Sequence, residues 1–383
     1  MVLAPMAGIT DVAYRTLCRE QAALAVADGH PGLFVCEMIT SRGLVEGDAT
    51  TKSMLAFDEG ESVRSVQLYG TDPGHLGEAT KILCGDYGVD HVDLNFGCPV
   101  PKVTRKGGGA ALPWKRNLLG AILRSVVAAA APYGVPVTMK TRKGIDEEHL
   151  TFLEAGVIAA ESGAAAIALH GRTAIQGYSG EADWGSIAEL VAATPIPVLG
   201  NGDIWEATDA QRMVEETGVA GVVVGRGCLG RPWLFRDLAE AFSGPAGFET
   251  LAGARSSTNV PIELPRLGEV TATMRRHAEL LVRYQGEERG CKEFRKHVSW
   301  YLKGFRAGGE LRHALALVST LAELDTLLGE LDPDEAFPVT ELGRPRGRQG
   351  APRRSVVLPE GWLADRDDLV SVAPEETSEI SGG

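Results

Sequence analysis

The sequence has few cysteines, and none of them lies in a metal-binding pattern. The 383 residues contain six, with no Cys-x-x-Cys pair and no Cys/His cluster at zinc spacing. Scattered cysteines are typical of reduced thiols in the cytoplasm. We therefore expect no metal site and predict a cytoplasmic protein.

Long apolar segments and excess positive charge are also missing. No apolar run approaches the roughly 18 residues of a membrane-spanning helix, and the first residues lack the basic and apolar regions of a signal peptide. We therefore expect no membrane partner. The formal net charge is −13, which argues against a general nucleic-acid coat, so an RNA substrate would require positive charge gathered locally.

Short apolar segments alternate with amphipathic ones up to residue 242. Strands are predicted at residues 1–4, 33–37, 63–69, 89–95, 136–141, 165–170, 197–200 and 221–225. The segments between them have helical patterns, and continuous apolar strands of this kind are parallel and covered on their outer face. The predicted fold is therefore α/β, a closed (β/α)8 TIM barrel over residues 1–242. Because only four residues precede Pro5, either the first strand is very short or the true start lies upstream.

The rest of the chain divides into three segments. Residues 243–264 are rich in Gly, Pro, Ser and Thr and are predicted to be a linker, whereas residues 265–331 have helical periodicity and predict a small all-α domain. The segment 266–312 carries 11 Lys or Arg and 6 Asp or Glu, so it is basic on an acidic chain. The alternative explanation for these positive charges is that they lie on an ordinary solvated face of the helices. Residues 332–383 are rich in Pro, Gly and charge and are predicted to be disordered.

Polar and glycine-rich residues collect after the predicted strands, where barrel enzymes build their active sites. Gly225-Arg-Gly-Cys-Leu-Gly230 formally matches the dinucleotide pattern Gly-x-Gly-x-x-Gly, but a Rossmann fingerprint opens a βαβ unit and no strand follows here. Glycines after strands seven and eight of a barrel hold a single phosphate. Asn201-Gly-Asp203 and Gly225-Arg226 therefore predict a mononucleotide such as FMN, with ordinary turn glycines as the alternative.

Three further side chains are candidates for the site. An unpaired ammonium at Lys140 would be costly at the end of a buried strand, so we expect a flavin edge beside it, or else an ion pair with a carboxylate such as Glu37. His170 is either a core histidine or part of the pocket. A free cysteine is more often a buried apolar side chain than a catalyst, but Gly97 and Pro99 are predicted to direct Cys98 over the barrel mouth, where a protonated thiol could donate a proton.

Eight segments, in order, resemble one enzyme family. They are Leu3-Ala-Pro-Met-Ala-Gly-Ile-Thr-Asp11, Gln67-Leu-Tyr-Gly70, Asp93-Leu-Asn-Phe-Gly-Cys-Pro99, Lys102-Val103, Lys140-Thr-Arg142, His170-Gly-Arg-Thr173, Asn201-Gly-Asp203 and Gly225-Arg226. Together they resemble the tRNA-dihydrouridine synthase family over residues 3–331, and Arg295-Lys-His-Val-Ser-Trp-Tyr301 is similar to its B-type bacterial branch. The glycine-rich run 105–110 and the acidic, proline-rich tail depart from the family pattern.

The resemblance implies a role for each matching residue. The expected flavin-ring contacts are Pro5, Met6, Ala7, Gln67, Lys140 and His170. The expected FMN phosphate contacts are Asn201, Gly202, Asp203, Gly225 and Arg226. Cys98 would be the catalytic proton donor. The expected substrate and tRNA contacts at the barrel are Asn95, Lys102, Arg105 and Arg172. Independently of the resemblance, the positive charge of the helical segment predicts that residues 265–331 bind tRNA, with Lys292, Arg295 and Lys296 among the contacts.

The implied reaction reduces the C5–C6 bond of a tRNA uridine to 5,6-dihydrouridine. NADPH, or NADH, would reduce FMN, flavin N5 would pass a hydride to C6, and Cys98 would protonate C5; the base would have to leave its stack. We expect the protein to act as a monomer. The nearest alternative is a flavin barrel acting on a free pyrimidine, as dihydroorotate dehydrogenases do, which has no use for a basic helical domain. A non-catalytic RNA-binding barrel is the other alternative, and the presence of Cys98 and Lys140 argues against it.

Overall fold

The computed structural model describes residues 1–26, 31–243, 264–347, 349–350 and 355–369. The predicted linker therefore lies almost wholly outside the described residues. No helix in these ranges is long and apolar enough to cross a membrane.

The strands within the described ranges form one parallel sheet. They are β1 (Val2–Leu3), β2 (Leu33–Phe34), β3 (Ile39–Thr40), β4 (Ser65–Tyr69), β5 (His91–Phe96), β6 (Val137–Arg142), β7 (Ala166–His170), β8 (Val198–Asn201) and β9 (Gly221–Val224). Their order is β2-β1-β9-β8-β7-β6-β5-β4-β3. Val35, just after β2, also bridges to Ser65 in β4, while Ile39 in β3 pairs with Leu68 further along β4. Because β2 and β3 are thus two parts of one interrupted strand, the sheet closes as eight strands, which confirms the predicted (β/α)8 barrel.

Helices follow the strands of the barrel. They are α1 (Val12–Ala23), α2 (Ser41–Val45), α3 (Ala49–Ser53), α4 (Pro73–Asp86), α5 (Pro101–Thr104), α6 (Arg116–Ala130), α7 (Phe152–Glu161), α8 (Trp184–Ala193), α9 (Ala207–Thr217) and α10 (Leu234–Ser243). Capping fixes where several of them begin: the Asp11 carboxylate accepts the amide of Tyr14 at the start of α1, and α4 begins with Asp72 as cap and a proline in its first turn.

A second apolar core lies in the helical part of the chain. It is built from α11 (Leu267–Gln285), α12 (Glu287–Tyr301), α13 (Gly309–Leu315) and α14 (Leu321–Leu328). Ala13 and Leu17 of α1 and Trp233 of the last barrel loop belong to the same buried cluster. The helical part is therefore packed directly on the barrel through α1.

Residues 332–383 were predicted to be disordered, and parts of this segment pack against the rest of the molecule. Phe337 packs in the helical core at 6% exposure. Further along, Trp362 is 5% exposed in the barrel core, and its indole N–H donates to the carbonyl of Ala111 at 3.0 Å. A few aromatic anchors are sufficient to fix a segment whose overall composition is polar. Residues 370–383 lie outside the described residues.

Candidate active site

A cavity of about 640 Å³ opens at the carboxyl ends of the barrel strands. It collects side chains from the ends of six strands and from the loops that follow them. The predicted residues that line it are Pro5, Met6, Ala7, Gln67, Asn95, Cys98, Lys140, His170, Asn201, Gly202, Asp203, Gly225 and Arg226. The structure therefore brings every predicted flavin contact and Cys98 to one volume.

Lys140 lies at this cavity without a carboxylate partner. No ion pair or hydrogen bond involves its ammonium among the described residues, and the alternative partner, Glu37, accepts the amide of Gly8 at 2.6 Å instead. Burial, followed by the nearby Arg142 guanidinium, lowers the pKa of Lys140 to about 7. Near pH 7 the Lys140 side chain is therefore present both as an ammonium and as a neutral amine at the wall of the cavity.

Gln67 and Asn95 belong to a chain of hydrogen bonds along the barrel interior. Gln67 is fully buried; its Nε2 donates to Asp93 Oδ2 at 2.6 Å, and its Oε1 accepts from Asn95 Nδ2 at 2.7 Å. The other Asp93 oxygen accepts from the Thr138 hydroxyl at 2.6 Å. These bonds fix the orientation of both amides, because a carboxylate only accepts.

The turn that carries Cys98 is held from two sides. Asn95 Oδ1 accepts the amides of Gly97 and Cys98 at 3.1 and 2.9 Å. Arg142 Nε donates to the Gly97 carbonyl at 2.9 Å, and the amide of Ala110 donates to the Cys98 carbonyl at 3.0 Å. Cys98 is half-exposed, while the other five cysteines are buried. The thiol at the mouth is therefore the one placed to meet a substrate.

The loop after β8 is shaped by a buried ion pair. Asp203 has a φ of 54°, in the left-handed region where Asp and Asn are among the few tolerated side chains. Both of its carboxylate oxygens accept from Arg172 Nη2 at 2.8 Å, and Oδ2 also accepts the amide of Ala182 at 2.6 Å. Asp203 Oδ1 also lies 3.9 Å from Arg226 Nη2, so this carboxylate lies close to two guanidinium groups at the edge of the cavity.

Positive charge dominates the cavity. Its described lining carries the cations of Lys140, Arg142 and Arg226 against the one carboxylate of Asp203. Burial and these neighbouring cations hold the pKa of His170 well below its usual range, so His170 is neutral at physiological pH. Such a cavity favours an anionic ligand.

The family follows from a match that covers most of the chain. A family model described as dihydrouridine synthase matches residues 2–336. The chain belongs to the dihydrouridine synthase family. It is 52% identical over 401 residues, covering all of both chains, to a probable tRNA-dihydrouridine synthase of Mycobacterium leprae. It is 36% identical to tRNA-dihydrouridine synthase B of Pseudomonas aeruginosa over 312 residues, covering 82% of this chain and 86% of that one.

Two predicted tRNA contacts of this dihydrouridine synthase family member have partners within the protein. Arg172 is 2% exposed and is held by Asp203 and by the carbonyls of Ser179 and Gly180. Arg295 donates to the Val318 carbonyl and the Ser319 hydroxyl, at 2.8 and 3.0 Å, so it braces the loop before α14. The sequence could not reveal these internal partners because both lie in other segments of the chain.

The other predicted tRNA contacts remain candidates. Lys102 is half-exposed in α5 and Arg105 is exposed at its end, directly after the Cys98 turn. Lys296 is exposed on α12 and pairs with Glu293 at 2.6 Å. None of the three lines the cavity, so the structure places them on surfaces around it.

Sequence reasoning missed three aromatic side chains of the cavity, Tyr178, Trp205 and Trp300. Tyr178 lies between Arg142 and Arg226, whose guanidinium carbons are 5.7 and 4.3 Å from its ring centroid. Trp300, from α12, also lines the cavity. Tyr178 stands in a Gly-flanked loop after β7, and Trp300 in the segment that resembles the B-type branch, so both had a weak sequence signal.

Proposed function

We propose that this enzyme reduces a uridine in tRNA to 5,6-dihydrouridine in the cytoplasm, as a monomer, with bound FMN as cofactor and NADPH, or NADH, as reductant. The observation that carries the proposal is the single cavity shared by Cys98, the unpaired Lys140 ammonium and the two glycine loops after β8 and β9. The relatives are named as tRNA-dihydrouridine synthases, which supports the choice of tRNA as substrate.

The residues present fit FMN. Lys140 offers an unpaired ammonium of the kind that suits the electron-rich edge of a flavin. Gly202 and Gly225 form part of the wall, where the absence of side chains allows a phosphate to approach the backbone closely. Arg226 lies beside them, held against Tyr178 and Trp205. Two-electron chemistry at uracil C6 would be supplied by the reduced flavin when it is bound.

Cys98 holds the proton for the other carbon of the double bond. Its turn is fixed by Asn95 and Arg142, so the Sγ atom is presented at the mouth in a defined position. Because His170 is neutral, it offers the substrate a hydrogen bond and not a positive charge. Arg172 Nη1 lies 3.4 Å from His170 Nε2, and a guanidinium only donates, so this contact favours the proton on Nδ1.

The helical part of the chain favours tRNA over a free pyrimidine. Trp300 of α12 contributes to the cavity wall, so the same helix that presents Lys296 to solvent also reaches the mouth of the site. A small pyrimidine needs no such surface. A base presented by a folded RNA does, since it must be extruded and held from outside.

The proposal is tested by separating the two half-reactions. Cys98→Ala should leave NADPH-driven bleaching of the flavin close to the wild-type rate, while dihydrouridine formation in tRNA falls by about 10²-fold or more, as loss of a general acid does. The measurements are anaerobic absorbance of bound flavin and mass spectrometry of nucleosides from the treated tRNA.

Cys84→Ala is the matched control, because Cys84 is a buried cysteine of α4 away from the cavity. Parallel reactions with free uridine and orotate test the free-pyrimidine alternative. Activity on these compounds with none on tRNA, or a protein that neither contains nor takes up flavin, would reject the proposed function.

A further inference from the structure

The tail forms a clasp on the barrel beyond the part of the chain that the family model matches. The C-terminal clasp comprises residues 358–369. Asp367 pairs with Arg116 at the start of α6, at 2.8 Å, and the carbonyl of Arg366 accepts the amide of Arg116 at 2.8 Å. The Arg366 side chain pairs with Glu154 of α7 and lies over the ring of Trp114, 4.2 Å from its centroid. The clasp is thus attached to two barrel helices, α6 and α7, and to the turn that precedes α6.

The centre of the clasp is Trp362, which lies against the glycine loop, residues 105–110. Gly107 has a φ of +76°, and a Cβ atom there would overlap the Trp362 ring, with one ring carbon at 2.6 Å. The indole N–H donates to Ala111, and Lys115 Nζ lies 5.1 Å from the ring centroid. The glycine content of this loop therefore makes room for a side chain from the far end of the sequence.

The glycine loop in turn lies against Cys98. The amide of Ala110 donates to the Cys98 carbonyl. A Cβ atom on Gly109, whose φ is +54°, would lie 3.1 Å from Cys98 Cβ. The Cys98 turn is therefore supported by Asn95 and Arg142 on one side and by residues 109–110 on the other.

We propose that Trp362 is a positioning residue for Cys98, acting through the glycine loop. Its ring closes the outer side of the loop and so keeps residues 107–110 against the Cys98 backbone. The inference rests on the proposed role of Cys98 as proton donor. It also accounts for why the two segments that depart from the family pattern, the glycine-rich run and the tail, are in contact with each other.

The test uses the accessibility of the Cys98 thiol, which does not depend on activity. Iodoacetamide should label Cys98 selectively, because the other five cysteines are buried. In Trp362→Ala the labelling rate at Cys98 should rise several-fold. With tRNA as substrate, kcat should fall at least about tenfold, since misplacement by 1 Å can cost up to about 100-fold. KM for tRNA and the rate of NADPH-driven flavin bleaching should stay near wild type.

Three further variants separate loss of the Trp362 contact from general unfolding. Trp362→Phe retains a ring against Gly107 and should restore much of the wild-type kcat and labelling rate. Arg366→Ala with Asp367→Ala removes two partly exposed ion pairs of the clasp and leaves Trp362 in place. This double variant should reproduce the Trp362→Ala effects if Trp362→Ala fails to fold. Val357→Ala, at a side chain 47% exposed just before the clasp, is the matched control.

The inference would be overturned if Trp362→Ala and the double variant both had the same labelling rate and the same kcat as the control Val357→Ala. So would an equal loss in both half-reactions, which would indicate general loosening of the barrel. Failure of the proposed function is seen separately, as normal tRNA reduction by Cys98→Ala.

Discussion

Lys140 is a buried ammonium whose charge depends on pH within the physiological range. Because burial and Arg142 lower its pKa to about 7, the side chain is protonated below this pH and neutral above it. Affinity for the flavin ring should therefore fall as pH rises, with riboflavin bound roughly tenfold more weakly at pH 8 than at pH 6. Quenching of riboflavin fluorescence measures this directly.

Riboflavin is preferred to FMN in this measurement because the phosphate of FMN has its own ionisation near pH 6. The Lys140→Met variant should bind riboflavin weakly, and its affinity should not change between pH 6 and pH 8. Lys143→Met is the control, since Lys143 pairs with Asp183 at 2.9 Å and does not line the cavity. An affinity that is flat from pH 6 to 8 in the wild type would contradict the assignment.

Asp203 combines an unusual backbone conformation with a buried ion pair. Asp203→Ala leaves the Arg172 guanidinium without its carboxylate, which typically destabilises a fold by about 3–5 kcal/mol. Asp203→Asn retains an acceptor oxygen and tolerates the positive φ, so its loss should be smaller. Urea unfolding of the wild type and both variants measures these losses, and wild-type stability in Asp203→Ala would show that the ion pair contributes nothing.

Helices α11 and α12 enclose two histidines. Burial lowers the pKa of His277 to about 3 and that of His297 well below its usual range. His277 Nε2 and His297 Nδ1 have no hydrogen-bond partner within the described residues. Both rings are therefore neutral in the folded protein over the ordinary pH range.

This burial predicts loss of stability in acid. Below about pH 6.5 the unfolded chain binds protons that the folded one does not, so the free energy of unfolding falls as pH drops towards 3, by up to about 1.4 kcal/mol per pH unit per histidine. His277→Phe should flatten the slope between pH 6.5 and 5 in urea titrations. His75→Gln, at a half-exposed side chain, should not. Equal slopes in all three proteins would contradict this account.

Two lysines of α12 belong to the exposed part of the basic helical segment. Lys292 and Lys296 are exposed, whereas Arg295 is used inside the helical part. Lys292→Ala with Lys296→Ala should lower the slope of log Kd against log salt for tRNA by up to about two units, with flavin reduction unchanged. Lys81→Ala on α4 is the control; an unchanged slope in the double variant would move the docking surface to Lys102 and Arg105.

Local pattern was sufficient to predict the elements, but not every contact between them. Strands and helices of the barrel were predictable because burial imposes a period on the sequence, and glycines and polar residues at strand ends predicted which residues share the cavity. The internal partners of Arg172 and Arg295 were not predictable, since a sequence does not show which carboxylate or carbonyl a guanidinium will meet. The clasp was missed because its composition is that of a disordered tail and its anchor, Trp362, has its partners about 250 residues away.

At the scale of the whole molecule, the barrel and the helical part share buried side chains. Ala13, Leu17 and Trp233 lie in the helical core, and Arg276 of α11 pairs with Glu20 of α1 at 2.6 Å. The two parts should therefore unfold together, giving one thermal transition with the same midpoint by circular dichroism and tryptophan fluorescence. Two separated transitions would show that the shared core is too weak to couple them.

The clasp also has a consequence for the order in which the enzyme is made. Trp362 and the carbonyl that it bonds are 251 residues apart, and a ribosome adding about 5–20 residues per second needs roughly 10 to 50 seconds to cover that distance. During this interval the barrel strands are already present, but the turn around Cys98 lacks its outer support. A nascent chain, or one that ends early, should therefore expose a thiol that oxidants reach more easily than they do in the finished enzyme.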